Sequence, residues 1–233
     1  MQVPVALYPA EQRTDLQFRM LDSRNLARVR YERVNEETGE EVPWSEIIKG
    51  FEYDSGSYVP LDDEDFRRAA PESSKAIELE AFVPRGAVGC EWYDKPYYLT
   101  PDKRGHKGYL LLRETLRRTG RIGIARVVIR TREHLAALIP SGGMLLLDLL
   151  RFTDELRDPA KLDLPQGDLD EYGIKPREVD MAAQLVEAMS TDWQPQDYRD
   201  EYRARLLEWI QEKIQAHGEP LPEPPAPGQE GAE

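Results

Sequence analysis

Between Lys103 and Arg132 the chain carries Lys103, Arg104, Lys107, Arg113, Arg117, Arg118, Arg121, Arg126, Arg130 and Arg132 against a single acid, Glu114. Ten positive charges and one negative, inside a chain of net charge −13, exceed what solubility requires. Guanidinium and ammonium groups at this density bind anions, and the densest regular anion is a nucleic acid backbone. Phosphate and sugar contacts hold a duplex without reading its bases. Lys103, Arg104 and Lys107 lie on a loop with Gly105 and Gly108, where backbone can approach a phosphate closely. A second group, Arg28, Arg30 and Arg33, alternates with Val29, Tyr31 and Val34, the pattern of a half-buried strand over Leu26–Val34 with a basic face. Lys49 follows it. Arg126 and Arg130 share one face of a strand predicted over Arg121–Thr131, with Ala125, Val127 and Ile129 on the other.

Not every charge in these runs implies a ligand. Glu114 and Arg118 stand four apart on a predicted helix, Gly108–Thr119, and form a surface ion pair there; Arg113 and Arg117 share that solvated side. The run Asp62-Asp63-Glu64-Asp65 suits the first turn of a short helix, where carboxylates complement the dipole, better than a metal site. His106, His134 and His217 are scattered, and Cys90 is the only cysteine, in a strand-like context that suggests packing. No phosphate-binding glycine loop and no catalytic motif is present, so a binding protein without a cofactor or metal is expected, not an enzyme.

The 233 residues, 40% hydrophobic and 32% charged, suffice for one large or two modest domains. No apolar run approaches the roughly 18 residues of a membrane span. The start, Met-Gln-Val-Pro-Val-Ala-Leu-Tyr, has no secretory pattern, and one cysteine excludes a disulfide framework, which points to a reducing, cytoplasmic setting. Charge is uneven: from Asp154 onward there are 20 acids and 8 bases, a net of −12, leaving −1 for everything before. Such asymmetry predicts two units with different partners.

The elements that must position these residues are mainly strands up to about residue 160. Val3–Tyr8 is a β-branched run; Phe51–Leu61 is a hairpin turning over Asp54-Ser55-Gly56-Ser57; Ala76–Val83 alternates; Pro96–Leu99 is aromatic. The predicted helix turns Tyr109, Leu112 and Leu116 to one side and ends at Gly120. Leu135–Ile139 and Met144–Leu150 form a hairpin about Ser141-Gly142-Gly143. Asp163–Gly173 reads as linker. Pro176 opens a helix with a Val179, Ala182, Ala183, Val186, Met189 stripe, Trp193-Gln194-Pro195 turns the chain, and Tyr198–Ala216 repeats apolar residues every three or four. In that second helix Tyr198, Tyr202, Leu206, Trp209 and Ile210 either form the core of a two-helix hairpin or, with Trp193, face a partner. Gly218–Glu233 is Pro/Glu/Gly-rich and expected to be disordered.

Four runs carry a specific resemblance. Glu40–Val83, Asp94–Leu138 and Leu150–Pro159 resemble the core of bacterial Ku, and Ile174–Ile214 is similar to that family's short C-terminal domain. The resemblance implies a mainly β fold with α: a Ku-type β-barrel core over 1–160 with an inserted bridge from about Met20 to Tyr58. A linker over 161–174, a two-helix C-terminal domain over 175–217 and a tail over 218–233 complete it. It implies a homodimer whose two bridges close a ring around double-stranded DNA, threaded from a free end in non-homologous end joining. It implies, too, that the C-terminal domain recruits ligase D, with Trp193, Tyr202 and Trp209 at that contact. Arg28, Arg30, Arg33 and Lys49 fall in the bridge and are, with Lys103, Arg104, Lys107, Arg126 and Arg130, the candidate DNA contacts.

The chain departs from the family in three places. Relatives have about a dozen residues before Val3-Pro4-Val5-Ala6-Leu7-Tyr8, forming a first barrel strand, and a sheet without it exposes unpaired backbone. A Cys-x-x-Cys-Gly turn is replaced by Asn35-Glu36-Glu37-Thr38-Gly39, and a lysine-rich tail by an acidic, proline-rich one. These departures favour the competing reading, a Ku-derived protein-interaction module with weakened or lost DNA binding. A hydrolase built on Asp62–Asp65 is a weaker third.

Overall fold

The computed structural model describes residues 2–12, 14–69 and 76–216. They fall into two compact units, Met1–Asp163 and Leu164–Glu233. The first contains β1 (Val5–Pro9), β2 (Lys49–Asp54), β3 (Ser57–Leu61), α1 (Asp63–Ala69), β4 (Ile77–Pro84), β5 (Tyr93–Pro101), α2 (His106–Thr119), β6 (Arg121–Ile129), β7 (Arg132–Ser141) and β8 (Met144–Leu150). The second contains α3 (Pro176–Met189) and α4 (Glu201–Gln215).

Six strands form one antiparallel sheet in the order β1-β5-β8-β7-β6-β4; β2 and β3 pair only with each other. Alternation buries both faces. On one, Leu99, Val127, Ala136, Leu138, Leu145, Leu147 and Leu149 pack with Tyr109 and Leu116 of α2. On the other, Ile122, Ala137, Ile139 and Leu150 are covered by Val83, Val88, Trp92 and Tyr93. The expected face of α2 is therefore the buried one, and Gly120 stops the helix in the left-handed region (φ 63°), where glycine has no Cβ to clash. The helix begins at His106, two residues before the predicted start, because Asp102 Oδ1 accepts the backbone N–H of Arg104 and Gly105, each at 2.8 Å, and organises the entry.

Tyr109 ties the helix to the sheet. Its hydroxyl donates to the Leu99 carbonyl (2.9 Å) and accepts from the Leu145 N–H (2.7 Å), inside the core. Beside it lies a cavity of about 800 Å³ between β1 and β4, the two edge strands, floored by Leu99, Tyr109, Leu112, Leu138 and Leu145.

Asp148 stands opposite Ala137 and Pro96 in the register, and its Oδ1 is buried with no hydrogen-bond partner among the described residues. Burial pushes its carboxyl above 3.8; the charges of Asp94 and Glu11 add to this, while a backbone hydrogen bond from Asp94 and the Arg151 charge oppose it. A carboxyl raised on folding stabilises while protonated, and that contribution is lost as pH rises through its folded value. Asp148→Asn is therefore expected to stabilise the protein at neutral pH by about 1 kcal/mol or less, the site being partly solvated. Melting curves should separate from the parent's at pH 7 and converge in acid.

The segment between β1 and β4 adds no strand to the large sheet. The predicted strand Leu26–Val34 is not formed: Leu26 has a left-handed φ of 58°, and only two isolated bridges, Leu21↔Arg28 and Val34↔Glu41, order the stretch. Its alternating apolar residues have no sheet to lie against, so Val29, Tyr31 and Val34 are exposed rather than half-buried. Asp62 begins α1 as expected: its Oδ1 accepts the N–H groups of Glu64 (2.8 Å) and Asp65 (2.9 Å), while Asp65 Oδ2 accepts the Asp62 N–H (3.0 Å). Cys90 lies in an exposed 3-10 turn, Cys90–Trp92, and not in a strand.

In the second unit α3 starts at Pro176, where the Glu178 carboxylate accepts the Lys175 N–H (2.8 Å). α4 starts three residues later than the Tyr198 expected, because Asp200 caps it by accepting the Arg203 N–H (2.9 Å). The apolar stripes do not form the core of a hairpin: Val179, Val186, Met189, Tyr198 and Tyr202 are exposed. Call for disorder at Gly218–Glu233 falls outside the described residues. Among those described, no helix is long and apolar enough to cross a membrane.

Candidate nucleic-acid interface

The candidate cations occupy three structural settings. The first is the exposed segment between β1 and β4. Arg28 and Arg30 have no acidic partner among the described residues, and the Arg33 guanidinium stacks 4.3 Å above the Trp44 ring. Lys49 opens β2 with its ammonium 4.5 Å from the Phe66 ring. Stacking holds a cation in place without neutralising it, so its charge remains available to phosphate.

The second is the turn into α2. Asp102 draws the backbone in tightly; its carboxyl is held below its usual value chiefly by the Gly105 N–H, with Arg104 assisting. Gly105 sits against the Pro4 carbonyl, where an added Cβ would come within 2.6 Å of the oxygen. The glycine thus lets the loop press onto the chain just before β1, a reason for its presence that the sequence alone did not suggest. Lys103 and Lys107 are exposed with no acidic partner among the described residues, and Arg104 has only a loose pairing with Asp102 at 3.4 Å.

The third setting is β6, and here the structure changes the reading. Arg126 is held by Glu80 Oε1 (2.7 Å) and Glu133 Oε1 (2.6 Å), one acid from each flanking strand. Both raise its pKa, Glu133 first. Two carboxylates around one guanidinium leave no net positive charge for a phosphate. Arg130 does not share its strand face: β6 ends at Ile129, and Arg130 occupies the turn with a left-handed φ of 60°. The missed signal was the register. A two-residue turn at Arg130-Thr131 sets Val128 opposite Glu133, which places Glu133 diagonal to Arg126 on one face.

The helix arginines are spent as predicted and beyond. Glu114 meets Arg118 (2.7 Å) and also Arg117 (2.9 Å), and their hydrogen bonds, Arg117's first, hold its carboxyl down to about 2. In the second unit Trp193 and Tyr198 stack at 4.9 Å, Trp193 and Tyr202 are exposed (73% and 75%), and Trp209 is half-buried with Lys213 over its ring at 5.9 Å. Among the described residues no three His, Cys, Asp or Glu side chains gather in a group fit to hold a metal.

A six-stranded antiparallel sheet with a long exposed insertion between β1 and β4, followed by two helices, is the arrangement of a Ku-type β-barrel protein. The profile of the Ku70/Ku80 beta-barrel domain matches residues 1–181. The chain belongs to the Ku family. It is 52% identical over 212 residues to the non-homologous end joining protein Ku of Coxiella burnetii, covering 91% of this chain and 77% of that one. It is 44% identical over 225 residues to the protein of the same name from Opitutus terrae (97% and 80%). Against that of the archaeon Archaeoglobus fulgidus it is 37% identical over 213 residues (91% and 83%).

Proposed function

We propose that this protein binds double-stranded DNA ends in non-homologous end joining, as a homodimer that encircles the duplex and recruits a ligase D through its C-terminal unit. The observation that carries the reading is the character of the segment between β1 and β4. It exposes Phe18, Met20, Tyr31, Trp44, Ile48, Phe51, Tyr53 and Tyr58 together with Arg28, Arg30, Arg33 and Lys49. A lone soluble domain does not expose that much apolar surface; a second copy covers it, and the cations then line the space enclosed. The names of the relatives support the pathway. By this reading residues 1–160 are the barrel with its bridge and 175–217 the recruiting domain, with Trp193, Tyr202 and Trp209 as its anchors. The family's role is binding, and nothing in the site calls for catalysis by this chain.

The cations that serve the duplex are Lys103, Arg104, Lys107, Lys49, Arg130 and the Arg28–Arg33 row; Arg126 is excluded by its two acids. A ring threads onto an end and cannot pass onto a closed circle. Linear duplex is therefore expected to shift in a gel at concentrations where a covalently closed circle of the same sequence does not. Equal binding to both would overturn the ring. No binding to linear DNA, with dimerisation intact, would favour an interaction module, a reading to which the acidic balance and the neutralised Arg126 lend support.

A further inference from the structure

The segment between β1 and β4 is charged in two opposite blocks. One side carries Arg28, Arg30 and Arg33 with one acid, Glu32; the following turn carries Glu36, Glu37, Glu40 and Glu41 with no base. The turn is well formed. Asn35 Oδ1 accepts the Glu37 N–H (2.8 Å), the Gly39 N–H donates to the Asn35 carbonyl (2.8 Å), and Gly39 takes a left-handed φ of 71°. The arms are then joined by Val42 N–H to the Arg33 carbonyl (2.7 Å) and Asn35 N–H to the Glu40 carbonyl (2.8 Å). None of the four turn glutamates, nor Arg28 or Arg30, has an ionic partner among the described residues. The hairpin is too tight for its own glutamates to fold back onto Arg28 and Arg30 without breaking these bonds.

We propose that the occupant of this surface is the same segment of a second copy, with the glutamate turn of each protomer docked on the Arg28–Arg33 row of its partner. The inference rests on the dimer of the preceding reading and gives it an orientation. A two-fold axis makes one patch meet itself, so a surface with one basic and one acidic block is complementary to its own copy only when the two segments run in opposite directions. The apolar side chains supply the adhesion: Val29, Tyr31, Val34 and Trp44 alternate with these charges and are exposed, Tyr31 by 74% and Trp44 by 72%. The backbone of Arg30, Tyr31 and Glu32 makes no ladder or turn hydrogen bond, which leaves an extended edge open to a second strand. Charge sets direction and pairing, as charged rims do at other interfaces. A pairing in trans also resolves a conflict within the ring, since four free glutamates beside a phosphate-binding row would repel the duplex.

The test is a charge swap in the full chain, read without DNA so that phosphate binding does not enter. One variant carries E36K, E37K, E40K and E41K; the other carries R28E, R30E and R33E. Each alone is expected to dimerise at least about 100-fold more weakly than the parent by sedimentation, because like charges then face each other across the axis. An equimolar mixture should recover a heterodimer within about tenfold of the parent affinity, which misfolded variants could not do. If the parent itself is monomeric, the dimer reading fails. If the parent dimerises and both variants dimerise as tightly, or the mixture recovers nothing, the dimer stands and this pairing is wrong.

Discussion

Binding of linear duplex is expected to collapse with salt, and the collapse should be blunted when the α2 entry loop loses its charge. Each phosphate neutralised by lysine or arginine releases counterions, so log affinity falls with log salt at about 0.9 per contact; six to ten contacts lose about 10³–10⁵ in affinity between 50 and 200 mM. Lys103, Arg104 and Lys107 offer three contacts per protomer. If all six of a dimer engage, alanine at these positions makes the slope shallower by about 5. Arg126→Ala is the matched control. Its charge already belongs to Glu80 and Glu133, so the slope should not move. Titrations of a short linear duplex at several salt concentrations measure both. A parent slope near zero would remove the phosphate contacts from the account. A shallower slope for Arg126→Ala would show that its two acids release it on binding.

Tyr109→Phe should be the most damaging single-atom change in the first unit. The hydroxyl is one node serving two backbone groups, the Leu99 carbonyl on β5 and the Leu145 N–H on β8. The ring of phenylalanine keeps the packing with Leu116 and Leu147 but leaves both groups buried and unpaired. A buried donor or acceptor so orphaned costs about 1–3 kcal/mol, so the pair should approach the upper part of that range or pass it. Tyr109→Ala adds a cavity and brings the loss to about 3–5 kcal/mol. Because α2 begins at the basic loop, the alanine variant should also weaken DNA binding; the phenylalanine variant should not, once tested well below its melting temperature. Chemical denaturation compares the stabilities. Phenylalanine within a few tenths of a kcal/mol of the parent would mean that water replaces the hydroxyl.

Local chemistry carried much of this architecture to the surface of the sequence. Strict alternation in Ala76–Val83 and Met144–Leu150, the Asp54-Ser55-Gly56-Ser57 turn, the stripe of Tyr109, Leu112 and Leu116, and the stops at Gly120 and Pro176 each depend on neighbours within a few residues, and each is an element in the structure. So do the capping acids at Asp62 and the ion pair of Glu114 with Arg118. The candidate cations were legible as residues for the same reason: charge density is a property of composition.

Whether each cation is free was not legible, because neutralisation acts across strands. Glu80 lies 46 residues from Arg126, and only the pairing of β4 with β6 brings them to 2.7 Å. The alternation at Leu26–Val34 looked like a strand because periodicity reports a face and says nothing of what covers it. Here no strand of the same chain does, so the segment stays extended and exposed. Residue order along a chain settles helix, turn and cap, whose energies come from near neighbours; burial and charge balance are sums over every atom close in space, and those sums exist only once the sheet has closed its register.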